Sequence, residues 1–394
     1  MENAARAFCQ RLGIKFSDAV VPFYKEGLSL FEKSGSAIAE KERIEELDRK
    51  YCFLRKWKQD IYHAADIIKK DADLLLYNYT LYCIIRDHAD VSILPPPDRG
   101  VPETDFSPMF ALLWFLEDMI SDMERRGLPH SVISDTLYGF DAEINDYYDM
   151  FSRSGMRRYV EWFLLFVYNK IIRVGRLNFE FKTLSDRVRV YKKGDDIKIL
   201  IDGAKMHTGG MMFGSAGQDD EKGSFFAEIE EFPDGSVSGF SVNGRGECVP
   251  EKITLSGYRE VLRPGDEVCG IHIPANEPFS ADMCRAAISD FKTILQKHYP
   301  ERKIKAFICD SWMLEPALFD IMGKETNITR FAKLFLLHPR KSDAEDVYFF
   351  LFHVPEKVPA ETLPEKSSMQ RAVKEYLMQG NPFYEKAGII LYEE

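Results

Sequence analysis

The chain has few of the features that mark secreted or metal-binding proteins. Its seven cysteines, at positions 9, 52, 83, 248, 269, 284 and 309, form no C-x-x-C pair and are odd in number. Most stand among apolar neighbours, so we interpret them as small core residues in a reducing compartment. The eight histidines show no H-x-x-x-H or H-E-x-x-H spacing, so the sequence predicts no metal site.

Long hydrophobic runs are also missing. The N-terminal residues MENAARAFCQRLG carry charges and no apolar stretch, which argues against a signal peptide. The longest apolar stretch, YVEWFLLFVY at 159–168, is about half a membrane span and contains Glu161. We therefore expect a cytoplasmic protein with no segment inserted into a membrane.

Positive charge is scarce. The chain holds 52 Lys and Arg against 63 Asp and Glu, which gives a net charge of −11. Nucleic acids and anionic membranes require a basic surface, so neither is expected as the main partner. Apolar residues are plentiful, at 45% of the 394 residues, with 29 Phe and 18 Tyr. A chain of this length exceeds one ordinary core, so two domains are predicted, with material for a large apolar pocket.

The first 175 residues have helical patterns. Residues 108–129 repeat apolar side chains at helical spacing, and further helices are predicted over 66–88 and 155–172. Residues 92–107 contain PPPDRGVP, a stiff loop that cannot be helical. This half therefore predicts a helical domain.

After Gly175 the pattern changes to that of strands. Segments such as NFEF, VRVYKK and DIKILID alternate with a period of two. Ten of the 25 glycines fall between 203 and 246, including HTGGMMFGSAGQ, which lacks the Gly-Lys-Ser/Thr of a phosphate loop. We interpret this segment as a glycine-rich hairpin connection. The alternative is a mobile loop that brings His207 to a site.

From residue 258 onward, strand and helix signals alternate. A strand is predicted over 267–273, a helix over 281–298 with Ser280 as its N-cap, and a second strand over 304–310. Residues 334–338 and 347–353 flank a charged connection and are predicted to form a hairpin.

The predicted strand–helix–strand unit brings distant polar residues toward one crevice. Parallel strands joined by a helix have their carboxyl ends at the same edge of the sheet. The first strand carries His272 near its end, and the second is followed by CDSW, residues 309–312. Open α/β sheets bind ligands outside these ends, where the first N–H groups of the helix suit a phosphate or an oxyanion. Gly270 shares a strand face with His272 and leaves room for a close approach.

Five motifs occur in a characteristic order. They are VGRLNFE (174–180), LRPGDEVCGIHIPA (262–275), CDSWMLEP (309–316), TNITRF (326–331) and LPEKSSMQRAV (363–373). Together they resemble a bacterial acyltransferase family with a helical N-acyltransferase domain and a GNAT-like C-terminal domain. The resemblance implies an α+β chain, with an all-helical domain at 1–175 and a GNAT-like mixed α/β acyltransferase domain at 176–394.

The resemblance also implies a chemistry, the transfer of an acyl group from acyl-CoA to an amine or hydroxyl acceptor without a metal. In GNAT-like folds the acyl-pantetheine lies in a gap between two parallel strands that flank a helix. His272 then lies where such folds often place a general base or an acyl contact, and an imidazole can deprotonate an attacking amine. Ser311 would lie near the thioester. The residues expected to contact CoA are Ile273, Ala275, Asn276, Ser280 and Trp312.

Each candidate residue also has a structural interpretation. His272 can hold its loop through hydrogen bonds. Cys309 is either a nucleophile activated by His272, which would form an acyl-enzyme, or a buried core thiol. Asp310 and Ser311 either orient groups in the site or cap the following turn. Trp312 is either a pocket wall or part of the core.

Two departures from the family pattern keep other functions open. The loop after His272 reads PANEPFS and lacks the usual pyrophosphate signature, and Glu277 stands where family members tend to have glycine. A ligand-binding module without catalysis therefore remains an alternative, as does an acyl-enzyme route through Cys309. Arg176 and Glu180, at the domain junction, are expected to form an interdomain ion pair.

Overall fold

The structure, a computed structural model, describes residues 1–97, 102–157, 160–275 and 277–392. The chain forms two compact units. The first contains Met1–Val174 and Pro274–Glu277, and the second contains Gly175–Ile273 and the residues that follow from Pro278. Asn276, one of the residues expected to contact CoA, lies outside the described residues, as does the part of the proline-rich loop at 98–101.

The first unit is helical, as the sequence predicts. None of the described helices is long and apolar enough to cross a membrane. Its elements are α1 (Glu2–Arg11), α2 (Val21–Ser34), α3 (Lys41–Tyr51), α4 (Lys58–Ile68), α5 (Ala72–Arg86), α6 (Ser107–Leu113), α7 (Leu116–Arg125), α8 (His130–Leu137), α9 (Gly139–Phe151), α10 (Val160–Val167) and the strand β1 (Ile171–Val174).

The prediction of a single helix over 108–129 is wrong, because the segment forms both α6 and α7. All of α6 is buried, whereas α7 buries one face through Leu116, Met119, Ile120 and Met123. The helical periodicity therefore describes α7 alone. The region 66–88 likewise divides, since Asp71 caps the start of α5 by accepting bonds from the N–H groups of residues 73 and 74.

Among its described residues, the second unit contains three sheets and five α-helices. The large sheet has the strand order β2-β11-β12-β14-β13 within this unit, the second sheet has the order β10-β3-β4-β8-β7 with β9 on β8, and β5 pairs with β6. The strands are β2 (Leu177–Thr183), β3 (Val188–Lys193), β4 (Asp196–Ile201), β5 (Ala204–His207), β6 (Ser224–Ala227), β7 (Glu230–Glu231), β8 (Val237–Val242), β9 (Cys248–Leu255), β10 (Arg259–Leu262), β11 (Glu267–His272), β12 (Ala306–Ser311), β13 (Leu336–Pro339) and β14 (Lys386–Leu391). The helices are α11 (Ala281–His298), α12 (Ala317–Ile321), α13 (Asn327–Ala332), α14 (Asp346–Phe350) and α15 (Ser368–Met378).

The two faces of the large sheet are covered differently. Phe291 of α11 stacks on Phe179 of β2 with ring centroids 4.0 Å apart, and Phe307 of β12 packs edge-on to both. We call the face of the sheet that α11 covers the outer face. On the opposite, inner face, Val268 and Ile308 share a core with residues of the second sheet. Burying each of these large side chains contributes about 1.5–3 kcal/mol, so the sheet is fixed from both sides.

The parallel unit is confirmed, and the predicted hairpin is wrong. β11 and β12 are parallel, with α11 between them. Residues 347–353 do not form a strand, because α14 covers most of them, and β13 pairs with β14 instead. Val347, Tyr348, Leu351 and Phe352 are buried together in one apolar cluster. This spacing matches one face of a helix, whereas a short run of apolar residues alone does not separate helix from strand.

The glycine-rich segment connects β5 to β6. His207 accepts a bond at Nδ1 from the N–H of Gly209 (2.9 Å), and the same nitrogen lies 2.9 Å from Oε1 of Gln218. A Cβ on Gly223 would lie 2.5 Å from His207 Nε2, so the imidazole occupies space that only glycine leaves. His207 therefore organises this connection.

Candidate functional site

The strands β11 and β12 pair over only part of their length. Their register runs from Val268 opposite Ala306 to Gly270 opposite Ile308. β11 continues to His272 and β12 continues to Ser311. The carboxyl-terminal ends of both strands therefore extend past the last paired residues, and we call the space between these ends the strand gap. Ligands of open α/β sheets bind at such carboxyl ends.

A histidine–carboxylate pair lies beside the strand gap. His272 Nε2 is 2.9 Å from Oε2 of Glu180, which reaches it from the neighbouring strand β2. An ionised carboxylate only accepts hydrogen bonds, so Nε2 is the donor and the neutral ring carries its lone pair at Nδ1. The side chains are 34% and 16% exposed, so the pair is shielded but reachable from solvent.

Gly270 makes this pair possible. It lies opposite Glu180 in the register of β11 and β2. A Cβ at position 270 would lie 3.2 Å from Glu180 Oε2 and 3.1 Å from Cδ of Lys182. The space expected beside His272 is therefore filled by the side chains of Glu180 and Lys182, which pack over Gly270 from β2.

More charged groups continue along the inner face. Lys182 Nζ lies 3.7 Å from Asp310 Oδ2, and His338 Nε2 lies 3.6 Å from Asp186 Oδ2. Burial raises the pKa of Asp186, an effect that His338 partly opposes, and burial lowers the pKa of His338. On the inner face, an apolar core therefore lies next to a row of charged side chains near the end of β12.

The loop between β11 and α11 is fixed at its second half. Arg176 Nε donates to the carbonyl of Pro278 at 2.7 Å, and Asn327 Nδ2 donates to the carbonyl of Phe279 at 3.0 Å. Ser280 caps α11 by accepting from the N–H of Met283 at 3.2 Å, as its sequence position predicts. The amino end of an 18-residue helix is therefore held in a defined place.

The comparisons with known proteins bear on this fold. A family model described as "GNAT-like C-terminal domain" matches residues 171–390. The chain belongs to the GNAT-like C-terminal domain family. This membership confirms the resemblance found in the motifs and the α+β fold class. Among curated proteins, none matches the chain at a significant level.

Solved structures resemble the GNAT-like chain along its whole length. One is a crystal structure of an acyltransferase in complex with decanoyl-CoA and teicoplanin, with a TM-score of 0.64, 16% identity and 99% of each chain covered. A second is a mutant acyltransferase in complex with octanoyl-CoA, with the same TM-score and identity and with both chains covered completely. A third is an acyltransferase in complex with CoA and 10C-teicoplanin, again at 0.64 and 16%. At this identity the likeness establishes the fold.

Cys309 does not meet His272 in this GNAT-like domain. Because Gly270 lies opposite Ile308, His272 and Asp310 point to the inner face and Cys309 points to the outer face. Cys309 is 1% exposed, and burial raises the pKa of its thiol. The structure therefore supports the core-thiol interpretation and argues against a nucleophile activated by His272.

Ser311 and Trp312 also have structural roles. Ser311 caps the 3-10 turn Trp312–Leu314 by accepting from the N–H of Met313 at 3.1 Å. Trp312 is 9% exposed and packs in an apolar cluster, with its ring 6.3 Å from that of Phe383. Trp312 thus fills the core, contrary to the expectation that it forms a pocket wall. The 3-10 turn that begins at Trp312 directly follows β12, and the indole packs in this cluster.

The remaining expected contacts lie between β11 and α11. Ile273 is partly exposed directly after β11, and Ala275 is exposed in the loop. Glu277 forms an ion pair with Arg173 of the same unit, with Oε2 and Nη2 2.5 Å apart. Its charge is therefore compensated by a cation of the protein. A compensated carboxylate repels a diphosphate less than a free one, so Glu277 is a weaker argument against CoA binding than its sequence position indicates.

Sequence reasoning missed the partner of His272. Arg176 and Glu180 were expected to take part in an interdomain ion pair, yet within the second unit Glu180 contacts His272, while Arg176 donates to a backbone carbonyl. The signal was present, since Glu180 and His272 both sit in family-like motifs, but only the register of β2 against β11 brings them together. Among the described residues, no group of three or more His, Cys, Asp or Glu side chains is arranged to hold a metal ion.

Proposed function

We propose that this protein transfers an acyl group from acyl-CoA directly to an amine or hydroxyl acceptor. The observation that carries the proposal is the histidine–carboxylate pair at the strand gap. The gap has the form that receives an acyl-pantetheine in GNAT-like folds, and His272 lies at its edge with a carboxylate behind it. The acyl-CoA and CoA bound by the structurally similar acyltransferases support the same donor.

In the proposed reaction, the acceptor nitrogen or oxygen attacks the thioester carbonyl carbon. His272 Nδ1 takes the proton of the acceptor as the new bond forms, and the charge of Glu180 stabilises the resulting imidazolium. The carbon–sulfur bond then breaks, the CoA sulfur leaves with the bonding pair, and the imidazolium gives up its proton to the sulfur, directly or through solvent, which regenerates the neutral base. Glu180 acts through His272 and is a positioning residue.

The diphosphate of CoA would lie at the start of α11. There the first N–H groups of the helix and the positive end of its dipole favour an anion. Arg285 and Arg330 lie beside Asp282 in the first turn, with nitrogen–oxygen distances of 2.7 and 3.9 Å. Both guanidinium groups can turn to a diphosphate at little cost, because surface ion pairs are weak. A cytoplasmic location, where CoA esters form, fits the seven unpaired cysteines.

The test is a thermal-shift series with acetyl-, octanoyl- and decanoyl-CoA and free CoA. A ligand at 100 times its dissociation constant stabilises the native state by about 2.7 kcal/mol, which raises the melting temperature by several degrees. The matched variant is His272→Gln, which should keep this shift but lose the release of CoA thiol in the presence of an amine panel. No shift with any CoA species would overturn the proposal.

A second function has one observation in its favour. The loop between β11 and α11 reads PANEPFS and lacks the glycine-rich pyrophosphate signature. If the protein only binds an acyl thioester or a related acid, the wild type should show the thermal shift without any CoA release. His272→Gln would then leave affinity, its only measurable property, largely unchanged.

A further inference from the structure

A pocket opens on the second unit among residues that differ from those of the strand gap and of the first turn of α11. It is a cavity of about 210 Å³ bounded by the chain entering β3, by β4 and β5, and by the residues that leave β13. Its apolar wall includes Val188, Ile201 and Met206, all nearly fully buried. The polar residues in its lining are Ser185, Asp186, Arg187, Arg340 and Lys341, and we call this cavity the cationic pocket.

Three cations converge on the cationic pocket in a chain whose net charge is −11. Arg187 and Lys341 are exposed, and Arg340 is half-buried. In the part of the chain that the structure describes, none of the three forms an ion pair, although Asp186 and Asp346 act on Arg340 at longer range. Many other arginines of this protein have a carboxylate partner, so this set of cations has charge available for a ligand.

One wall of the pocket is shared with the charged side chains of the inner face. Asp186 lines the pocket and lies 3.6 Å from His338 Nε2, which is fully buried and makes no hydrogen bond. A buried polar nitrogen without a hydrogen bond is uncommon in native proteins, so Nε2 of His338 has hydrogen-bonding capacity that the protein does not use. Asp310 acts electrostatically on both residues, and it marks the end of β12 at the strand gap.

We propose that the cationic pocket binds an anionic group, a carboxylate or a phosphate, carried by the acyl acceptor. Arginine recognises both groups through paired N–H donors, and the apolar wall strengthens the attraction by excluding water. The volume equals about seven water molecules at roughly 30 Å³ each, which suits a small acid or a single phosphate group. The assignment to the acceptor rests on the proposed acyl transfer, whereas anion binding in the pocket does not.

Anion binding is tested first, without any CoA compound. Inorganic phosphate and succinate are titrated into the wild-type protein by calorimetry at low ionic strength, since screening weakens exposed cations. Arg340→Gln and Arg187→Gln should each weaken binding about tenfold or more, the loss expected for one charged hydrogen bond. Arg263→Gln, an exposed arginine outside the pocket lining, is the matched control and should leave the affinity unchanged.

The outcomes separate the pocket from the acyl transfer. No binding of either anion to the wild type, or equal binding by the wild type and both pocket variants, would overturn the pocket. If Arg340→Gln fails to fold because Asp186 loses a neighbouring cation, the exposed Arg187→Gln still decides the point. The tighter of the two anions shows whether the pocket prefers a phosphate or a carboxylate.

The acceptor assignment is tested next, with pairs of primary amines that differ only in one carboxylate or phosphate. The anionic member of each pair should release CoA thiol about tenfold faster at low concentration, and Arg187→Gln should remove this difference. Equal rates for both members would overturn the assignment to the acceptor. Anion binding by a protein that binds no acyl-CoA would leave the pocket standing and remove the proposed transfer.

Discussion

Replacing Gly270 by alanine tests whether the contact between Glu180 and His272 supports catalysis. Gly270 has no positive φ angle, so the backbone accepts alanine and the unfolded chain loses some entropy, which favours the folded state by up to about 1 kcal/mol. The added Cβ would lie 3.2 Å from Glu180 Oε2, so the carboxylate must move by a few tenths of an ångström. Losing its charged hydrogen bond to His272 costs about 1.5–3 kcal/mol.

We therefore expect Gly270→Ala to be about 0.5–2 kcal/mol less stable than the wild type in urea, because the lost hydrogen bond outweighs the entropic gain, while kcat for CoA release falls about 10- to 100-fold. Gly239→Ala is the matched control. Its Cβ would also have 3.2 Å clearance, but from apolar atoms of Leu200 in the second sheet and of Ile229, which packs against Leu200. The control should lose stability and keep kcat. If Gly270→Ala kept the wild-type kcat, Glu180 would have no part in the reaction.

Three further changes give distinct outcomes. Glu180→Gln should lower kcat about tenfold or more with an unchanged KM for acyl-CoA, because the amide still holds His272 but no longer stabilises its charge; an unchanged kcat would count against this role. Cys309→Ala should keep its transfer activity, and mass spectrometry of the wild type after acyl-CoA treatment should find no acyl group on this buried thiol. Burial raises the pKa of Glu315 to about 7, from an ordinary value of 4.5. Between these two pH values the carboxyl group is protonated in the native state but ionised in the unfolded chain. The free energy of unfolding should therefore fall by about 3 kcal/mol between pH 4.5 and 8, and Glu315→Gln should remove most of this dependence in urea titrations.

The order of elements around the site follows from local sequence signals. The apolar run before His272 predicts β11, Ser280 predicts the start of α11, and the apolar run before Asp310 predicts β12, as the structure has them. These signals are short-range, since strand alternation and helix capping depend on neighbouring residues. The prediction of a hairpin strand at 347–353 was wrong because local signals are ambiguous there. A short apolar run fits a strand and a buried helix equally well.

The roles of single residues at the end of β12 required more than strand alternation. Strand alternation puts Cys309 and Phe307 on the same face of β12, which favours a core thiol. The relation between His272 and Cys309 depends on the register of β11 against β12, and that register puts them on opposite faces. A shift of one residue would have reversed this outcome, and the sequence of either strand alone does not set it.

The sequence by itself determined the helical first half, the parallel β11–α11–β12 unit and the place of His272 at the carboxyl edge of the sheet. Each of these is encoded by residues close together in the chain. Only the tertiary structure decided what surrounds His272. Glu180 lies 92 positions away and reaches it across an antiparallel strand pair. Arg187 and Arg340 line one cavity because β13 and the start of β3 meet in space. Such pairings depend on how separate elements pack together, which local patterns do not specify.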